Sequence, residues 1–117
     1  MRPHVREVYS SDIDVDLYTP TDPHHDGQWI RFIIGPDDAP GEESFDVLIC
    51  TPAWLSEVIS TDGPQIGRHH LIVDPMDLNE AITFLRRRIE SLTAEDWGGL
   101  AGRLSRIGHW EFEDYST

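Results

Sequence analysis

The sequence contains no lysine, a single cysteine, and no proline after Pro75. It also lacks any apolar run near the ~20 residues that a membrane helix requires. Each absence excludes something. One cysteine, Cys50, rules out an internal disulfide framework and suits a reducing compartment. The opening MRPHVREVYSSDIDVD has no apolar core of a secretory signal, so the expected address is a bacterial-type cytoplasm. With no lysine, nine arginines face 22 aspartates and glutamates, and the net charge is −13. Residues 1–50 hold 11 acids against 3 Arg, and residues 51–117 hold 11 against 6, so no segment is a separate acidic tail. Such a surface disfavours nucleic acid and anionic lipid, whose phosphates need clustered cations. It attracts basic partners and speeds their encounter. Acidic charge also simply keeps a protein soluble, and composition on its own favours that reading.

At 117 residues the chain fits one domain with one core, and 38% hydrophobic residues are too many for disorder. The prolines confine loops and strands to the first part, which predicts an α+β plan. A single domain over 1–117 is expected: an N-terminal strand and acidic loop (1–27), strands and a short helix (28–75), then a helical half with an aromatic-acidic tail (76–117). The sheet is predicted to be small, mainly antiparallel and of three to four strands, packed against about three helices.

QWIRFIIG (28–35) and SFDVLICT (44–51) read as strands around the turn PDDAPGEE, and form a natural antiparallel hairpin. In the second, Phe45, Val47 and Ile49 share one face and Asp46, Leu48 and Cys50 the other. Thr51-Pro52 is a helix start, with Trp54, Leu55, Val58 and Ile59 as its buried stripe. HHLIVD (69–74) is predicted as a central strand. Asp77 to Glu80 resembles a capping box for a helix whose apolar face carries Leu78, Ile82, Leu85, Ile89 and Leu92, with Arg86, Arg87 and Arg88 looking outward. A last helix starts near Thr93, carries Trp97, Leu100, Ala101, Leu104 and Ile107, and stops at Gly108.

Catalytic signatures are scarce. No G-x-S-x-G, Walker loop or G-x-G-x-x-G is present, and no cofactor is implied. Cys50 sits where a strand meets a helix, but position 56 is Ser where a phosphatase loop has Arg, and its apolar neighbours mark a buried thiol. His24-His25 and His69-His70 invite a metal reading, yet adjacent strand residues point to opposite faces and no second cysteine supports zinc. A small metal-dependent hydrolase using His69, His70, His109 and the acids is therefore the weaker alternative, with a general acidic adaptor as another.

The tail, Trp110-Glu111-Phe112-Glu113-Asp114-Tyr115, alternates aromatics with acids at strand period. Trp110 and Phe112 are expected to cover the core and Glu111 and Glu113 to face water, since unpaired burial costs several kcal/mol.

ESFDVLICTPAWL (43–55), IGRHHLIV (66–73), Trp97 and LSRIGHWEFEDY (104–115) resemble, in order, the immunity protein 8 family. The resemblance implies a small α+β protein encoded beside the toxin gene of a bacterial polymorphic toxin system. Its implied role is to bind and neutralise the cognate toxin, so that producing cells and their kin survive. The acidity adds the expectation of a basic, nuclease-type toxin, because nucleases bind phosphate backbones. The expected contact surface joins the hairpin loop (Asp37, Asp38, Glu42, Glu43) to the tail (Trp110, Glu111, Glu113, Asp114, Tyr115). Neither nucleic acid nor a membrane is an expected partner, and the sequence leaves homo-oligomerisation open.

Overall fold

The structure, a computed structural model, describes residues 1–112. Its elements follow in chain order: β1 (Pro3–Tyr9), β2 (Gly27–Pro36), β3 (Glu43–Cys50), α1 (Pro52–Asp62), β4 (His70–Ile72), α2 (Leu78–Glu90), α3 (Trp97–Leu104) and β5 (His109–Trp110). The fold is α+β, as the placement of the prolines predicts, with five strands rather than three to four. β1, β2 and β3 form an antiparallel meander. The far side of β3 is shared: β4 runs parallel beside Leu48–Cys50, and β5 antiparallel beside Phe45 and Asp46. The sheet is therefore mixed.

One face of the sheet carries the core. Val5, Ile30, Phe32, Ile34, Phe45, Val47 and Ile49 alternate along β1–β3 and meet Leu78, Ala81, Leu85 and Ile89 of α2 and Leu100, Ala101 and Leu104 of α3. Each large apolar side chain so buried contributes roughly 1.5–3 kcal/mol. The helices start where local chemistry dictates. Thr51, Asp77 and Asp96 each accept a hydrogen bond from a first-turn backbone N–H, of Trp54, Glu80 and Gly99 respectively.

Four expectations need correction. First, α1 buries none of its residues: Trp54, Leu55 and Val58 are half-covered, and Ile59 is exposed. α2 and α3 already occupy the core face, leaving α1 only the end of the other face, where its Trp54 ring lies over Gly27 and a Cβ there would collide with it. Second, HHLIVD is not central. β3 is the hub, and the three-residue β4 lies on the sheet margin. Third, α2 ends at Glu90, so Leu92 packs from beyond the helix, and Arg86 turns inward to donate to the Val5 carbonyl at 3.3 Å. Fourth, α3 is shorter than periodicity implies, running Trp97–Leu104 with Ser105 as C-cap. Gly108 serves a different purpose: a Cβ there would stand 3.0 Å from Phe45 Cβ and 3.2 Å from Val47 Cγ2. Its missing side chain lets the chain approach β3 and enter β5.

Candidate functional site

On the sheet face opposite the core, strand register arranges the side chains in rows. Tyr9, Arg31, Asp46 and His109 stand opposite one another across β1, β2, β3 and β5. Glu7, Ile33 and Ser44 form the next row, and Glu111 joins it through its N–H to the Ser44 carbonyl at 3.3 Å. Trp29, opposite Leu48, extends the face and is 50% exposed. The alternation that sends Ile30, Phe32 and Ile34 inward sends Trp29, Arg31 and Ile33 outward.

At the β5 end this face holds a shallow depression of about 390 Å³, in which Glu7, Glu42, Glu43 and Glu111 surround Tyr9 and Arg31. Arg31 is the cation among these residues, and it is already engaged. Its Nε and Nη2 donate to Asp46 Oδ1 and Oδ2 at 2.8 and 2.9 Å, a bidentate pair. Asp46 foremost, and then Tyr9, push the guanidinium pKa above its already high ordinary value. With that charge neutralised, the four glutamates leave the depression negative.

The structure thus brings Glu42, Glu43 and Glu111, three residues of the expected contact surface, into one depression. Asp37 and Asp38 are exposed on the turn after β2, outside this depression. Glu113, Asp114 and Tyr115 lie outside the described residues. Trp110 stacks on Phe45 (centroids 6.4 Å apart, planes 11° apart), and its indole N–H donates to the Glu43 carboxylate. Glu111 is exposed, yet its Oε1 accepts from the Ser44 N–H at 3.1 Å, so this carboxylate also fastens β5. Phe112 departs from expectation: it is 43% exposed and meets Trp110 edge-on rather than covering the core. Glu7, Tyr9, Trp29 and the Arg31–Asp46 pair are missing from the sequence reading. An arginine in the apolar run of β2 is the signal that marks this face.

The histidines separate. His24 Nδ1 pairs with Asp74 at 2.7 Å, while His25 Nε2 reaches Glu57 on α1. His69 is buried with Nε2 against the Ser105 carbonyl at 2.8 Å, and its ring meets His109 edge-on. His70 turns to the Arg68 carbonyl. Among the described residues, no three of His, Cys, Asp and Glu come together to hold a metal ion. Cys50 is fully buried, and burial pushes its thiol pKa up, away from a reactive thiolate. Tyr18, pushed up to about 12 by burial and by its bond to Asp26, joins Gln28 in holding the 11–27 loop. These polar groups tie loops and strand ends together, and the acidic outer face is the candidate contact surface.

No helix among the described residues is long and apolar enough to cross a membrane. The chain matches no curated protein and no solved structure. The family model for immunity protein 8 matches residues 4–115. That span contains the hairpin, the β4 segment and the aromatic-acidic tail, and the chain belongs to the immunity protein 8 family, whose members bind and neutralise the cognate toxins of polymorphic toxin systems.

Proposed function

We propose that this protein neutralises a basic, nuclease-type toxin by stoichiometric binding, in the cytoplasm of the cell that produces it. The observation that carries the reading is the depression where Glu7, Glu42, Glu43 and Glu111 converge while Asp46 occupies the one arginine. A toxin that binds nucleic acid presents clustered cations around its active site, and these complement such a surface. Trp29 and Tyr9 supply exposed rings of the type that anchor tight interfaces. Asp37 and Asp38, exposed on the turn, add carboxylates near it, and Glu113, Asp114 and Tyr115 stay in the proposed contact set on their sequence alone. The net charge of −13 steers a basic partner toward it.

The test is co-expression with the product of the adjacent open reading frame, followed by association kinetics on the purified pair. Glu43 and Glu111 hold β5, so reversing them would mix loss of charge with loss of the strand. Asp37, Asp38 and Glu42 are exposed, and the triple substitution to Lys isolates the charge. Rescue of growth, co-purification and slower association of the triple variant at low salt are the expected results. Toxicity that this protein fails to relieve overturns the immunity role for that pair. An unchanged association rate overturns the electrostatic part.

A further inference from the structure

The two margins of the sheet are finished differently. On β1, Val5 directs its backbone groups outward, and α2 meets both. Its N–H donates to Glu90 Oε2 at 3.0 Å, and its carbonyl accepts from Arg86 Nη1 at 3.3 Å. An uncovered strand edge is a template for another chain, and at Val5 this one is covered. On β4, the His69 carbonyl accepts from the Leu48 N–H, and the Val73 N–H donates to the Cys50 carbonyl, both at 2.9 Å. Leu71 stands opposite Ile49. In a parallel ladder this alternation aims the backbone groups of His70 and Ile72 away from the sheet. His69, Leu71 and Val73 face β3, and β4 ends the strand order, so the Ile72 N–H and carbonyl point to the open side of the sheet.

A cleft of about 290 Å³ runs beside this open edge. Ile72, Ala81 and Phe84 give it an apolar floor, and Asp74, Asp77 and Glu80 give it an acidic rim. Ile72 and Phe84 are 55% and 54% exposed. Among the described residues, no cation lines the cleft; Arg87 and Arg88 lie beyond Phe84 along α2.

We propose that the open edge of β4 and this cleft receive an extended basic segment of the cognate toxin, which adds to the sheet as a further strand. This rests on the immunity reading and deepens it. Backbone hydrogen bonds to Ile72 hold the segment, an apolar side chain fills the floor beside Phe84, and Lys or Arg side chains meet Asp74, Asp77 and Glu80. A second copy of this chain is a poor occupant, because it carries the same rim carboxylates and a net charge of −13.

Amide hydrogen exchange of the wild-type protein, free and bound to an inactivated form of the adjacent-frame toxin, tests the proposal. The Ile72 amide is expected to exchange freely in the free protein and to become protected in the complex. Ile72→Pro removes an outward N–H without touching the β3 ladder. It should weaken binding roughly three- to tenfold, the effect of one hydrogen bond, while Ile72→Val binds as wild type. A complex in which the Ile72 amide exchanges as fast as in the free protein overturns the edge site alone. Concentration-dependent dimers with a protected Ile72 amide reassign the edge to a second copy and likewise overturn it. Absence of any complex overturns the immunity reading, and the edge site with it.

Discussion

The Trp110 indole N–H donates to the Glu43 carboxylate, joining residues 67 positions apart. β5 has only two residues, too few for a ladder to hold it unaided. Among the described residues, side-chain ties add to the ladder: this bond, the Trp110 stack on Phe45, the Glu111 carboxylate on the Ser44 N–H, and the edge contact of His109 with His69. Trp110→Phe keeps most of the stack and removes the donor, leaving Glu43 half-buried without its partner. The expected loss is about 1.5–3 kcal/mol in urea unfolding, the range for a bond to a charged group. Glu43→Gln keeps an acceptor and should cost less. If the phenylalanine variant unfolds at the wild-type midpoint, the indole bond is not needed to secure β5.

Glycines in the last quarter of the chain separate by what surrounds them. At Gly108 a Cβ would sit 3.0 Å from Phe45 Cβ, against strand atoms that have little room to yield. Gly108→Ala should destabilise by about 1–3 kcal/mol, as overpacking does. Gly102 lies inside α3, exposed, with nothing within 4 Å of an added Cβ. Gly102→Ala should stabilise by about 0.5–1 kcal/mol, since alanine is the better helix former. Thermal unfolding of the two variants should move the midpoint in opposite directions. A gain at Gly108 would show that β5 does not need the close approach to β3.

What was legible in the sequence follows the range of the interactions. Thr51 and Asp77 cap their helices as expected because a cap bonds within three residues of itself. β2 and β3 pair as expected because a short turn leaves them little choice of partner. The stripe Trp54, Leu55, Val58 and Ile59 looked equally helical, yet its burial depended on whether α2 and α3, from residue 78 onward, would claim the core face. Gly108 resembled a helix stop because local rules contain no information about Phe45. The outer face was legible only in part. Each strand contributes one or two of its residues, and only the register puts Glu7 and Glu111 beside Glu42.

The His24–Asp74 pair links the 11–27 loop to the segment before α2, and it carries a pH dependence of definite sign. The hydrogen bond and charge of Asp74 raise the His24 pKa above its ordinary value of 6.5. A group raised on folding contributes stability that is fully present below its unfolded pKa and is lost as pH rises through the folded one. The contribution should therefore fade from the ordinary imidazole range upward. His24 is fully exposed, so the test is the titration itself. NMR should place its midpoint above that of the same histidine in Asp74→Asn. Equal midpoints would mean that the contact does not persist in solution.

Arg31 and Asp46 neutralise each other on the acidic face, and separating them tests how that face is used. The pair is partly exposed, so its worth to stability is about 0–1 kcal/mol. Arg31→Gln removes the cation beside Glu7, Glu42, Glu43 and Glu111 and frees the Asp46 carboxylate. If a basic toxin approaches this surface, the variant should associate faster than wild type at low salt, with the difference shrinking as salt screens it. Stopped-flow association across an ionic-strength series measures this directly. A slower association with unchanged unfolding would mean that Arg31 itself contacts the toxin, and that the partner presents an acid at that point. In that case the depression is a mixed-charge surface in which Arg31 selects the partner while the surrounding glutamates steer it.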